Sequence, residues 1–131
     1  MRYLGIDYGN RKVGLAISDE SGHFAFPYKV LKNEGSEKLL GEIELIIKEE
    51  GIEKIILGES LDLSGQANPI QKEIEVFKQK LESRGLVVEF EKEIFTTQEA
   101  RRIVDEEQKD LDTDARAAAL ILKSYLDKNS R

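Results

Sequence analysis

Carboxylates are the groups in this chain that can do chemistry, because the common alternatives are missing. The sequence has 131 residues, no Cys and one His. Thiol nucleophiles, Cys-ligated zinc and iron–sulfur sites are thereby excluded. His23 falls in the turn-like run Glu20-Ser21-Gly22-His23 and reads as a solvated loop residue rather than as the base of a Ser-His-Asp triad. Asp7 follows the apolar run Leu4-Gly5-Ile6, near the end of what reads as a central strand. A carboxylate there is costly unless it is hydrogen-bonded, paired or metal-bound. An Asx-type turn accepting from Gly9 or Asn10 accounts for Asp7 equally well. Asp110, Asp112 and Asp114 lead into Ala115, Ala117, Ala118 and Ala119. Small side chains let a helix approach a sheet closely and bring Asp114, in its first turn, to the strand ends, with Asp110 and Asp112 left in a solvated lead-in. The helix dipole alone also explains an acid at that position. Glu89, Glu91 and Glu93 alternate and can share a strand face, while Glu59 stands just beyond the fourth strand. Ordinary solvated charge covers both cases. If these strand ends met the start of the last helix, they would form an oxygen-rich pocket suited to Mg²⁺ or Mn²⁺. Two such ions activate water and stabilise the leaving oxygen in phosphodiester cleavage.

The elements that must position these acids can be read from hydrophobic period. Tyr3-Leu4-Gly5-Ile6 and the alternating Val13, Leu15 and Ile17 read as strands, joined as an antiparallel hairpin through Tyr8-Gly9-Asn10-Arg11. Phe24, Phe26, Tyr28 and Val30 alternate in a third strand, where Pro27 signals an edge or a bulge. Leu39, Leu40, Ile43, Ile46 and Ile47 recur at helical spacing from Ser36 to Gly51. Ile55-Ile56-Leu57-Gly58 is a continuous apolar run, expected in a central strand covered on both faces. Asn68-Pro69 reads as the N-cap and first position of a helix with Ile70, Ile74, Phe77 and Leu81 on one face, ended by Gly85. Leu86-Val87-Val88 with Phe90 forms a fifth strand. Thr96 to Glu99 is a capping box opening a short helix, and Thr113 opens the last helix. The order βββαβαβαα predicts one α/β domain over residues 1–131. Its mixed five-stranded sheet has three antiparallel strands and two parallel strands joined through helical crossovers, an order like that of the ribonuclease H-like three-layer fold.

Composition narrows the class. Twenty Lys and Arg against 26 Asp and Glu give a net charge of −6, which opposes non-specific coating of nucleic acid without excluding a local site. No stretch approaches the run of about 20 apolar residues needed for a membrane span, so the expectation is a soluble cytoplasmic protein with no membrane partner.

Four segments together resemble the YqgF family, also called RuvX and related in fold to the RuvC resolvases. They are GIDYGNRKVGLAISD from Gly5, LGESLDLSG from Leu57, EIFTTQEA from Glu93 and DTDARAAALILKSYL from Asp112. The resemblance runs almost end to end and implies an RNase H-like, metal-dependent nuclease. It puts the catalytic, metal-holding acids on Asp7, Glu93 and Asp114, with Glu59 as a reserve ligand. The paired Thr96-Thr97 sets the register that selects Glu93 over Glu91. The implied cofactor is Mg²⁺ or Mn²⁺, two ions in all. Two departures stand out: Lys92-Glu93-Ile94 replaces the family's usual Asp-Glu-Arg, and Ser60, Asp62 and Ser64 replace its usual Pro, Asn and Asp.

Arg11 and Lys12 lie next to Asp7 and are the expected phosphate contacts, ahead of Arg101 and Arg102. Thr97 is a further donor to phosphate or simply a helix cap. The resemblance points to a structured RNA substrate, in maturation of the 5′ end of pre-16S ribosomal RNA. Cleavage of four-way DNA junctions is the rival within the class, and a symmetric junction would require a homodimer rather than a monomer. A non-catalytic nucleic-acid-binding module is the rival outside it. The Gly5-to-Gly9 run also resembles the first phosphate loop of actin-like ATPases, but 131 residues supply only one of the two subdomains those enzymes close around ATP.

Overall fold

A computed structural model describes residues 1–60, 69–92 and 112–129, without the side chains of 112 and 113. Glu93, Thr96, Thr97, Arg101, Arg102, Asp110, Asp62, Ser64 and the capping-box helix lie outside the described residues. Eight elements are described: β1 (Tyr3–Tyr8), β2 (Lys12–Ser18), β3 (Ala25–Lys32), α1 (Ser36–Glu50), β4 (Lys54–Glu59), α2 (Gln71–Ser83), β5 (Val88–Lys92) and α3 (Asp112–Asn129).

The strands form one sheet in the order β3-β2-β1-β4-β5. β1 pairs antiparallel with β2 and β2 with β3, whereas β1 pairs parallel with β4 and β4 with β5. The expected mixed sheet is therefore present, with the helix-linked strands parallel. Its two faces differ in chemistry. Leu4, Ile6, Val13, Leu15, Ile55 and Leu57 bury one face under Leu39, Leu40 and Ile43 of α1 and Ile74, Phe77 and Leu81 of α2. Ala16 and Ile56 on the other face pack under Ala118, Ile121, Leu122 and Tyr125 of α3. The second layer is thinner because glycine and alanine dominate it. A Cβ placed on Gly5 would sit 2.9 Å from Leu122 Cβ and 3.0 Å from the Ala118 carbonyl oxygen. Such backbone-to-backbone approach is available only where side chains are absent.

Three expectations need correction. The third strand does not alternate without interruption. Ala16 stands opposite Pro27 but Leu15 stands opposite Lys29, so Tyr28 is an extra, bulged residue. Phe26 consequently faces the α1 side, where it is half exposed, as Phe24 is beyond the strand end. The helix expected from Pro69 begins at Gln71, capped by Ile70 without a side-chain hydrogen bond. The alternating glutamates are not all a wet face: Glu91 is 5% exposed. The Ser124 hydroxyl (2.7 Å) and the Lys128 ammonium (2.8 Å), both on α3, donate to its Oε2.

Candidate active site

β1 delivers Asp7 to the end of the sheet. Residues directly opposite in an antiparallel pair point to the same face, and Asp7 stands opposite Gly14. A Cβ on Gly14 would lie 1.9 Å from the carbonyl oxygen of Asp114. The first turn of α3 therefore rests directly on the backbone beside Asp7. On the helix, Asp114 lies four residues before Ala118 and eight before Leu122, on the stripe that packs against the sheet. Ala115 and Ala117, both buried, let that turn come down onto the strands. The backbone of Asp114 is thus seated beside the β1–β2 pair that carries Asp7.

Burial defines what this place can hold. Asp7 is 2% exposed. Taking a carboxylate that far out of water is costly, and the cost is offset by donors or by a cation. The start of α3 adds favourable potential, because the N-terminal end of a helix carries about half a positive charge. Oxygen donors of this hardness fit Mg²⁺ or Mn²⁺. Among the described residues no three acidic side chains form a metal-holding group. Glu93, the third acid, is the residue after the described end of β5.

Glu59 reaches the end of β4, where it is half-buried, but strand alternation places it with Ile55 and Leu57. That is the face opposite Asp7. The β4 position on the Asp7 side is Gly58, which carries no ligand.

Arg11 and Lys12 are exposed on the β1–β2 hairpin, with Lys12 on the Asp7 face by the same alternation that places Gly14 there. The hairpin is tight, since a Cβ on Gly9 would sit 2.6 Å from the Lys12 carbonyl oxygen. It is also clasped from β3. Asn33 donates from its side-chain amide to the Gly9 carbonyl (2.9 Å) and from its backbone to the Arg11 carbonyl (2.8 Å). The sequence does not single out Asn33, whose partners are more than twenty residues away and become visible only once β3 is paired.

Tyr125, Lys54 and Glu89 form a separate cluster at the other end of α3. Lys54 Nζ donates to the Tyr125 hydroxyl (2.9 Å) and lies 3.1 Å from Glu89. The Tyr125 hydroxyl and Lys54 hold the Glu89 carboxyl below its usual range. The hydrogen bond to Tyr125 keeps the Lys54 ammonium above its own.

Among solved structures, the fold is similar to that of Thermus thermophilus RuvC in complex with a Holliday junction substrate. The TM-score is 0.58 at 16% identity, covering 99% of this chain and 96% of the other. It is equally similar to the fowlpox virus Holliday junction resolvase, with a TM-score of 0.58 at 17% identity over 98% and 99% of the two chains. Curated relatives named "Putative pre-16S rRNA nuclease" are closer in sequence. One from Desulforudis audaxviator is 35% identical, covering all of this chain and 96% of its own. Another from Anaplasma marginale is 36% identical, covering 96% and 84%. A family model described as RuvX, Holliday junction resolvase, matches residues 1–128. With that match spanning nearly its whole length, the chain belongs to the RuvX Holliday junction resolvase family and is a hydrolase of the nuclease class.

Proposed function

We propose that this nuclease depends on divalent metal and cleaves RNA phosphodiesters in maturation of the 5′ end of pre-16S ribosomal RNA. The observation that carries the reading is the seating of Asp114 against Gly14, directly opposite Asp7. The relatives' names supply the substrate. Asp7, Asp114 and Glu93 would hold Mg²⁺ or Mn²⁺, which when bound supplies an activated water and charge stabilisation at the leaving oxygen. The chain's own groups do the rest. Asp7, fixed in the strand and shielded from water, orients the site, while α3 sets Asp114 against it. Arg11 and Lys12 draw the phosphate backbone onto this face. A pre-ribosomal RNA substrate places the work in the cytoplasm.

Resolution of four-way DNA junctions is the second reading, favoured by the family's description. It requires two copies presenting two sites. A labelled RNA leader and a labelled four-way junction, incubated with Mn²⁺ and either wild type or Asp7→Asn, separate the readings. Wild type should cleave the leader and the variant should not. Preferential junction cleavage would move the assignment to the second reading, and cleavage of neither by wild type would leave a nucleic-acid-binding module. Mn²⁺ should also raise the unfolding temperature of wild type more than that of Asp7→Asn. Equal shifts in the two proteins would refute the metal assignment.

A further inference from the structure

The bulge at Tyr28 has placed a second lysine on the active face. Beyond the bulge, Val30 stands opposite Gly14 and Lys32 stands opposite Lys12. Gly14 faces α3 and Asp114, so Lys12 and Lys32, two residues along each strand, face the same way. Directly opposed side chains have Cβ atoms about 5 Å apart, and like charges in that position repel. Both lysines are exposed, and neither has an ion-pair partner among the described residues. Glu34, just beyond the strand, makes its ion pair with Lys38 at 2.9 Å and acts on Lys32 only through space. Asn33, the next residue after Lys32, ties this end of β3 to the Gly9–Arg11 turn, so the two cations are held in fixed register rather than free to splay. This backbone-fixed pair of exposed positive charges sits two residues, about 7 Å, along β2 and β3 from the Gly14–Val30 pair, and Gly14 stands opposite Asp7.

We propose that Lys32 acts with Lys12 as a seat for a backbone phosphate neighbouring the one that is cleaved. The proposal rests on the nuclease reading, since it is the nucleic acid lying across Asp7 that brings the phosphate there. Lys32 contributes charge from the edge strand, which no local motif marks. Lys29 is the internal control. It is an exposed lysine of the same strand, but it stands opposite Leu15 and belongs to the α1 face.

The test is binding of a fluorescently labelled RNA leader, measured by anisotropy over a series of KCl concentrations, with Ca²⁺ in place of Mn²⁺. Wild type, Lys32→Gln, Lys32→Arg and Lys29→Gln are compared. Loss of one phosphate contact lowers the slope of log affinity against log salt by about 0.7 for single-stranded RNA. Lys32→Gln should show that reduction, Lys32→Arg should keep the wild-type slope, and Lys29→Gln should match wild type. In low salt Lys32→Gln should unfold at a temperature no lower than wild type, because removing one of two opposed cations relieves repulsion. A wild-type slope in Lys32→Gln, or an equal reduction in Lys29→Gln, overturns the seat while leaving the nuclease reading intact. Failure of wild type itself to bind the RNA overturns that reading, and the seat with it.

Discussion

Substituting Gly14 by Ala tests whether the site depends on the seating of α3. The added methyl would lie 1.9 Å from the Asp114 carbonyl oxygen, 2.3 Å from its carbonyl carbon and 2.9 Å from the Ala115 nitrogen. These atoms are backbone, so no rotamer change can clear them. Restoring a contact of 3.4 Å requires the first turn of α3 and β2 to separate by about 1.5 Å. Two effects follow. Overpacking of this kind costs about 1–3 kcal/mol of stability. Displacement of Asp114 relative to Asp7 by an ångström or more costs about 100-fold in turnover. The assay is paired: urea unfolding for the first effect, and initial rates of Mn²⁺-dependent cleavage of the RNA leader, under conditions where the variant is fully folded, for the second. A variant that unfolds earlier yet cleaves at the wild-type rate would show that catalysis is indifferent to the seating of α3. A variant unchanged in both would refute the close approach itself.

Glu91→Ala should lower stability by about 1 kcal/mol rather than the 3–5 kcal/mol of a broken fully buried pair, because Lys128 is 62% exposed and can return to water. The urea midpoint reads this, and a loss above 3 kcal/mol would contradict the proposed hydration of Lys128. Glu89 should add a small pH-dependent contribution. Its carboxyl is held below the usual range first by the Tyr125 hydroxyl and then by Lys54. The contribution is therefore complete above the ordinary glutamate range and disappears as pH falls through the depressed value. Glu89→Gln should accordingly lose less thermal stability than wild type between neutral and acidic pH. Its 47% exposed side chain keeps the difference modest, and parallel pH profiles would remove Glu89 from the account.

Much of this was legible in the sequence because it rested on short-range pattern. Continuous apolar residues at Ile55–Leu57 marked a strand buried on both faces, and the spacing from Leu39 to Ile47 marked α1 with its end at Gly51. The alanines after Asp114 correctly implied close docking of the last helix, and the four family-like segments marked the family. What escaped depended on partners distant along the chain. Glu91 reads as a wet strand position until Ser124 and Lys128, 33 and 37 residues later, are placed over it. Glu59 is next to the right strand end, but only pairing and alternation reveal that it lies on the wrong face. The bulge at Tyr28 leaves no left-handed residue as a signature, since all positive φ angles in the described residues belong to Gly22, Gly35, Gly51 and Gly85. Pro27 was its one trace.

That bulge leaves β3 with one residue more than its pairing to β2 uses. Edge strands ordinarily absorb insertions and deletions with little consequence, and here the place for such a loss lies between Pro27 and Lys29. Tyr28 is pinned as the supernumerary residue, packed against the core of the α1 face with its hydroxyl donating to Glu50 at 3.4 Å. Removing one residue there would let Pro27 stay opposite Ala16 and Val30 opposite Gly14, restoring plain alternation and keeping Lys32 towards α3. Homologous sequences should therefore tolerate a one-residue gap at this point of β3, and an alignment that places the gap elsewhere in the strand would misassign the face of every residue between the two positions.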